Sequence, residues 1–422
     1  MGKTAKNKTK NQALDASRQR TLRLAAVVRR NLHTFVIQEG MKALDEVLEQ
    51  DRERLCGPAY RKGSPDDPQR WGGAEGRLVM GGQRVVVRKP RVRHQGQEVA
   101  LPSWEEFAAE DPLDERAFEQ LVLGVSMRGY EQSLEPLPEQ LQPHGASKSA
   151  VSRRFVGATK RKLDEWLQRD LSELRLVALM LDGIGIDEHT VIVALGIDET
   201  GQKQPLGLWI GATENAQVCG ELLDNLVERG LDPQRPYLFV IDGSKALRRA
   251  IRDRFGKRSL VQRCQEHKRR NVLRHLPKKL HPMVNKTMRD AYRSKSKATA
   301  RKRLLQLVAH LDDEYPDAAR SLKEGLDETL TLKDMNLSAS LERTLSTTNP
   351  IENLNTSIRR VSRQVKRWRD GKMVKRWVAA GILKAQRGFR RLRGHKSIPT
   401  LIAALLTAAE QIVRIDDQQQ AA

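Results

Sequence analysis

The sequence predicts an α/β core interrupted by an all-helical insertion and preceded by a small basic β element and a basic helical region. Three observations carry this. Residues 174–211 hold three strand-like runs, Leu174–Leu181, Thr190–Ile197 and Pro205–Gly211, with short turns at Ile186-Asp187-Glu188 and Asp198-Glu199-Thr200-Gly201. Strands joined by so little chain form an antiparallel meander. An amphipathic stretch, Asn215–Arg229, is then followed by the apolar run Pro236–Ile241, a helical run from Gly243 to Gly256 and a short strand, Ser259–Cys264. Apolar runs without alternation suit buried parallel strands. This order, β-β-β-α-β-α-β, is that of the ribonuclease-H-like fold. Finally, Glu266 to Thr331 is charged and helical in pattern, with no strand signal, and reads as an insertion.

The elements follow in chain order. Residues 1–55 read as a basic tail and N-terminal helices. The first twenty are Lys-rich and apolar-poor, as in disordered segments, and Leu22, Leu24, Ala25, Val28, Leu44, Val47 and Leu48 then recur at helical spacing. Residues 56–113 read as a linker and basic β-hairpin region. The linker is the Gly- and Pro-dense stretch 56–76, and the hairpins turn at Gly81-Gly82 and near Gln95-Gly96, around the β-branched run Arg84–Arg88. Residues 114–172 read as helical and helix-turn-helix-like, broken by Pro136, Pro138 and Pro143. Ser147 is placed to cap a helix whose buried stripe is Val151, Phe155, Ala158 and Leu163. Lys148, Ser149, Ser152, Arg153 and Arg154 lie between, as on a DNA-recognition helix, although an ordinary helix with a basic solvent face has the same spacing. Residues 173–265 form the first part of the core, 266–340 the insertion, and 341–422 complete the core. Within the last segment, 398–415 is an apolar helix suited to the core or a partner subunit.

Composition narrows the function. The 422 residues carry 76 Lys and Arg against 53 Asp and Glu, a net charge of +23. Such an excess favours polyanions, because each phosphate neutralised releases a condensed counterion. The apolar runs are far shorter than the roughly 20 residues of a membrane span, so no membrane role is expected. The basic, polar N-terminus is not a secretory signal. Three cysteines in so long a chain point to a reducing compartment. Six Trp, five Tyr and seven Phe are too few to make base stacking the main mode of binding.

Two acids follow apolar strands, Asp182 after Leu174–Leu181 and Asp242 after Pro236–Ile241. Ligands of open α/β sheets gather at the carboxyl ends of strands, and in this strand order the first and fourth strands are neighbours. Paired carboxylates repel unless a cation lies between them, and oxygen-only ligands select Mg²⁺ or Mn²⁺. Two such ions about 3.5–4 Å apart support phosphodiester cleavage and strand transfer. Glu352 supplies a third carboxylate in the first turn of a helix that Asn349 caps and Pro350 opens, where an ionised acid is favoured. A first-turn acid with no further role would look the same. Asp187, Asp198 and Glu199 belong to meander turns.

Four stretches in this order resemble the mutator-type (MULE-like) transposases of bacterial insertion sequences. They are SKSAVSR at 147–153, LDGIGI at 181–186 with FVIDGSKAL at 239–247, VQRCQEHKRRNVL at 261–273, and TTNPIENLNTSIRR at 347–360. The third matches the family signature Gln-x-Cys-x-x-His. The resemblance implies a DDE transposase in the bacterial cytoplasm, associated with the nucleoid. It places catalysis and metal binding on Asp182, Asp242 and Glu352, and the substrates as double-stranded terminal inverted repeats and target DNA. It also implies a homodimer or higher oligomer and, for some members, an excised circular intermediate. A ribonuclease-H-like nuclease that cuts without joining and a domesticated, non-catalytic DNA-binding protein remain as alternatives. Cys264 and His267 form half of a zinc pattern that His275 and His281 would have to complete. The better readings are a small buried residue ending a strand for Cys264, and for His267 a position beside the carboxylates.

Overall fold

The computed structural model describes residues 32–420, apart from residues 33, 61–63, 65, 81, 109–111, 136, 139–140 and 142. The Lys-rich tail and the apolar positions Leu22, Leu24, Ala25 and Val28 lie outside the described residues. The chain divides into two compact units, residues 1–158 and 159–422. No helix of the described residues is long and apolar enough to cross a membrane.

The first unit is built on a small antiparallel sheet. After a helix over residues 34–56 (α1) come β1 (Gln69–Met80), β2 (Gln83–His94) and β3 (Gln97–Val99). The central strand is β2, which pairs with β1, β3 and the two-residue β4 (Pro143–His144). Its buried residues Val85, Val87 and Val92 pack with Leu78 and with Leu44 and Leu48 of α1. The Gln95-Gly96 turn has positive φ at both residues, 49° and 81°, as two-residue hairpins prefer.

The linker expected over 56–76 ends sooner, because β1 begins at Gln69. Its glycines serve the strand rather than loosen it. Pairing slips between Arg70 and Gly73, with Gly72 at φ 71°, which is a bulge. Gly76 has no side chain because the Trp104 ring lies directly over it. Further on, α2 spans Pro102–Ala108, α3 Leu113–Leu123 and α4 Lys148–Gln168. Phe118 of α3 and Phe155 of α4 stack with centroids 6.2 Å apart. Residues 124–147 run between these helices, against the roughly three or four that join the helices of a helix-turn-helix.

The second unit holds a five-stranded sheet in the order β7-β6-β5-β8-β9. The meander comprises β5 (Leu176–Ile186), β6 (His189–Asp198) and β7 (Lys203–Gly211). α5 (Ala216–Glu228) leads to β8 (Leu238–Ile241), parallel to β5, and α6 (Lys245–Phe255) leads to β9 (Leu260–Arg263), parallel to β8. First and fourth strands are therefore neighbours. One face of the sheet, including Leu179 and Leu181, packs against Leu222 and Leu223 of α5 and Leu247 and Ile251 of α6.

The insertion comprises α7 (Gln265–Arg274), α8 (His281–Tyr292), α9 (Lys297–Asp312) and α10 (Pro316–Lys323) around a separate core that closes at Leu330. A 3₁₀ segment, Asp327–Asp334, then runs along β9, where Gln262 Nε2 donates to the Thr329 carbonyl at 3.0 Å and Thr331 Oγ1 to the Val261 carbonyl at 2.7 Å. This covers an edge strand that would otherwise offer unpaired backbone groups. After α11 (Ala339–Leu345), the helices α12 (Asn349–Ser362), α13 (Gly371–Gln386) and α14 (Ile398–Gln420) complete the core. Ile351, Leu354, Val378 and Leu401 from this group meet Ala178, Met180 and Ile184 on the second face of the sheet.

Candidate active site

Asp182 does not end its strand. β5 runs on to Ile186, and Asp182 is paired with Val193 inside the hairpin with β6. The parallel pairing with β8 stops at Leu181–Ile241, so β6 alone carries β5 past the body of the sheet. Asp182 thus stands one residue beyond the last parallel rung, and Asp242 follows Ile241 at the corresponding point of β8. Asp242 Oδ1 accepts from the Ser244 amide at 2.9 Å, while Ser244 caps α6. Gly243, at φ 106°, has Arg263 packed against it.

Glu352 reaches this edge from the second face of the sheet. α12 opens at Asn349, so the capping position falls to Thr348 and not, as the sequence suggests, to Asn349. The Thr348 side chain does not cap because it is engaged elsewhere. Its Oγ1 lies 2.7 Å from Glu352 Oε1, 3.2 Å from His267 Nδ1 and 3.3 Å from Cys264 Sγ. A hydroxyl has one proton, and the short contact to the carboxylate takes it. His267 Nδ1 is 3.8 Å from Glu352 Oε1. Cys264 is wholly buried at the start of α7, where its sulfur accepts from the amides of Thr348 and His267 at 3.4 and 3.5 Å. Burial pushes the Cys264 thiol up, but the hydrogen bonds from His267 and Thr348 outweigh it and bring it below its usual range. The hydrogen bond to Cys264 and the negative charges of Cys264, Glu352 and Asp242 raise the His267 imidazole against the effect of its burial.

Asn355, one turn after Glu352, completes the group. Its Nδ2 donates to Asp182 Oδ2 at 2.7 Å; the residue is 2% exposed, and its Oδ1 has no hydrogen-bond partner among the described residues. Burial, then the charge of Asp242, drives the Asp182 carboxyl up to about 7, with Glu352 adding a little and His267 and Asn355 pulling the other way. Sequence reasoning missed Asn355 and Thr348. The signal available was position, since a residue three after Glu352 shares its helix face and the residue before Asn349 begins the turn.

Other candidate residues fall elsewhere. His281 Nε2 bonds the Leu276 carbonyl at 3.1 Å. The potential ligand atoms that gather within 4.8 Å are those of Cys264, His267 and Glu352, without His275 or His281. Asp187 takes φ 54° in the β5–β6 turn. Asp198 Oδ1 accepts from the Thr200 and Gln202 amides, both at 2.9 Å, which is a turn-closing role. In the first unit Lys148, Ser149 and Arg153 are exposed on the opening turns of α4 and Ser152 is half-buried. Arg154 departs from the expected basic face. Its guanidinium is 3.3 Å from Asp114 and its side chain 13% exposed, because α3 supplies an acid that the spacing within α4 does not reveal.

The family model described as "Transposase, Mutator family" matches residues 9–391. The chain belongs to the Mutator family of transposases. Among its relatives is the transposase for insertion sequence element IS6120 of Mycolicibacterium smegmatis, 29% identical over 53% of this chain and 70% of that protein. The transposase for IS256 in transposon Tn4001 of Staphylococcus aureus is 30% identical over 57% of this chain, but the match spans only 62% of that protein. The transposase for ISRM5 of Rhizobium meliloti is 28% identical over 75% of this chain and 79% of that protein.

In this Mutator-family chain Asp182, Asp242, Glu352 and the Asn355 amide oxygen, which has no hydrogen-bond partner among the described residues, are oxygen donors, while the compact group of potential ligand atoms is that of Cys264, His267 and Glu352. Cys264 is less suited to be a ligand, since amide donors and the Thr348 hydroxyl already surround its sulfur.

Proposed function

We propose that this chain is a DDE transposase with a ribonuclease-H-like core, which cuts the ends of an insertion sequence and joins them to target DNA using Mg²⁺ or Mn²⁺. The observation that carries the reading is the Asp182 carboxyl. It is half-buried near Asp242 and Glu352 and accepts a hydrogen bond from the amide of Asn355, whose own oxygen has no partner among the described residues. An acid driven up to about 7 by burial and a like charge is poised to exchange its proton for a cation. Membership of a transposase family supports DNA as the substrate.

Asp182, Asp242 and Glu352 would hold the cations, which polarise phosphodiester oxygens and lower the pKa of bound water. Asn355 fixes Asp182, and Thr348 fixes Glu352 through its short hydrogen bond. His267, whose imidazole the Cys264 hydrogen bond and then the nearby negative charges raise, stands 3.8 Å from Glu352, where it would meet an entering phosphate. In the first step water attacks phosphorus at the element end, the P–O3′ bond breaks, and a 3′-hydroxyl leaves. In the second, that hydroxyl attacks a target phosphate and loses its proton, and the target's own 3′-oxygen departs with one. Terminal repeats would be read by the exposed face of α4, Lys148, Ser149 and Arg153, backed by the basic N-terminal region, and pairing two ends calls for a dimer or larger assembly.

The test supplies a pre-cut element end bearing a 3′-hydroxyl, supercoiled target plasmid and Mg²⁺. Joined products are expected. Nicking without joining would make the protein a nuclease, and binding with neither would make it a DNA-binding protein without catalysis.

A further inference from the structure

We propose that the exposed cations of the segment joining α12 to α13, Arg363, Lys366, Arg367, Arg369 and Lys372, form the surface on which target DNA lies, held by its phosphates. The inference rests on the reading of this chain as a transposase that joins element ends to target DNA. Between Glu352 and Glu410 the sequence carries a single acid, Asp370. That acid is already in use, because its side chain caps α13, with Oδ1 accepting from the Met373 amide at 2.6 Å. The five cations are exposed, and none forms an ion pair among the described residues. In the insertion, by contrast, Lys297 lies 2.5 Å from Asp334 and Arg301 2.8 Å from Asp327. A run of like charges left unanswered by the protein repels itself and attracts a polyanion.

The segment is fixed at the catalytic end of the sheet. Trp368, in its middle, packs against the core that α12 and α13 complete. Gly371, where α13 opens, stands against the sheet: a Cβ there would be 3.3 Å from His189 Nε2 and 4.0 Å from Ile210 Cγ2. His189 pairs with Ile186 at the far end of β5, about 13 Å of strand beyond Asp182. α12 gives a similar measure, since Arg363 follows Asn355, which holds Asp182, by about 12 Å of helix. Both routes set the cations roughly three to four base-pair steps from the carboxylates. Reading the major groove takes a helix or a two-stranded ribbon, whereas a loop held down at Trp368 meets the outside of a duplex, where the phosphates are. Element ends have to be told apart by sequence. A surface for phosphates alone suits the other DNA, the target.

Full-length protein titrated with a random-sequence duplex over a salt series, followed by fluorescence anisotropy, tests the proposal. The triple variant Lys366→Ala, Arg367→Ala, Arg369→Ala should lower the slope of log affinity against log salt by about 2 to 3, and weaken binding about tenfold or more at fixed salt. Joining of a pre-cut element end should fall by a similar factor, and a raised target concentration should restore it. Lys366→Arg, Arg367→Lys and Arg369→Lys together keep the charges and should keep the wild-type slope. An unchanged slope in the Ala variant would overturn the proposal, with joining by the wild type still standing. Weaker binding to terminal-repeat duplex alone would assign the surface to the element ends and overturn it too. So would a loss of joining that no target concentration restores. No joining by the wild type would instead remove the transposase reading on which the proposal rests.

Discussion

Buried charge occurs in two forms in the second unit. Arg229, after α5, donates to the carbonyls of Leu206, Trp166 and Arg169 at 2.8, 3.1 and 3.1 Å. Lys268, 1% exposed on α7, donates to the carbonyls of Ser321 and Glu324, both at 2.5 Å. Burial lowers both, Arg229 to about 10 and Lys268 to about 8, yet each stays protonated near neutral pH because carbonyl oxygens replace water. Asp182, half-buried, has one amide donor, and the acids Asp242 and Glu352 beside it are only partly offset by His267. A buried charge with its partners supplied ties elements together. One left facing like charges gives up stability, and a ligand can return it.

The contrast breaks most visibly if the carboxylates are neutralised. Asp242→Asn and Glu352→Gln should each lower cleavage of donor DNA in Mg²⁺ by about 10³-fold or more, and the double variant little further, because the residues act as one unit. Filter binding should show terminal DNA still held, and the metal-free melting temperature should not fall. The cations behave in the opposite sense. Arg229→Met should cost about 3 kcal/mol in urea unfolding, since it leaves buried carbonyls unpaired, while Mn²⁺ affinity stays at the wild-type value.

Acidity sharpens the comparison. The Asp182 carboxyl is raised from 3.8 to about 7, so its contribution to metal-free stability is complete below the unfolded value and lost as pH rises through the folded one. About 1–2 kcal/mol should disappear between pH 6 and 8 without metal. Asp182→Asn should flatten that part of the melting profile, and saturating Mg²⁺ should flatten it in the wild type.

A smaller effect separates two neighbouring arginines of α4. Arg153 is exposed, whereas Arg154 is paired with Asp114. Arg153→Ala should weaken binding to terminal repeats by about 1–3 kcal/mol if it reads a base edge. Arg154→Ala should act mainly on folding, by about 1 kcal/mol or less. Equal losses of DNA affinity in both, with stability untouched, would show that the ion pair does not hold in solution.

Features set by local pattern were legible in the sequence. The meander, the apolar strand before Asp242 and the helix opening near Asn349 each follow from alternation, turn residues or a Pro at a helix start. The hidden features depend on chain far away. β5 passes Asp182 because β6 pairs with it beyond the end of β8. Gly76 reads as linker until Trp104 packs over it. Arg154 reads as part of a basic face until Asp114, on another helix, meets it. Asn355 was visible only as a polar residue on a helix; its value lies in the 2.7 Å contact across to Asp182.

Asp182 and Asp187 offer the sharpest comparison, since both belong to the β5–β6 hairpin but only Asp182 faces Asp242. Supercoiled donor DNA carrying the element ends is incubated in Mg²⁺ with Asp182→Asn or Asp187→Asn and scored for nicked and joined products. The expected result is loss of both products by about 10³-fold with Asp182→Asn and near wild-type yield with Asp187→Asn. Full activity in Asp182→Asn, or equal loss in the two variants, would contradict the assignment of the site.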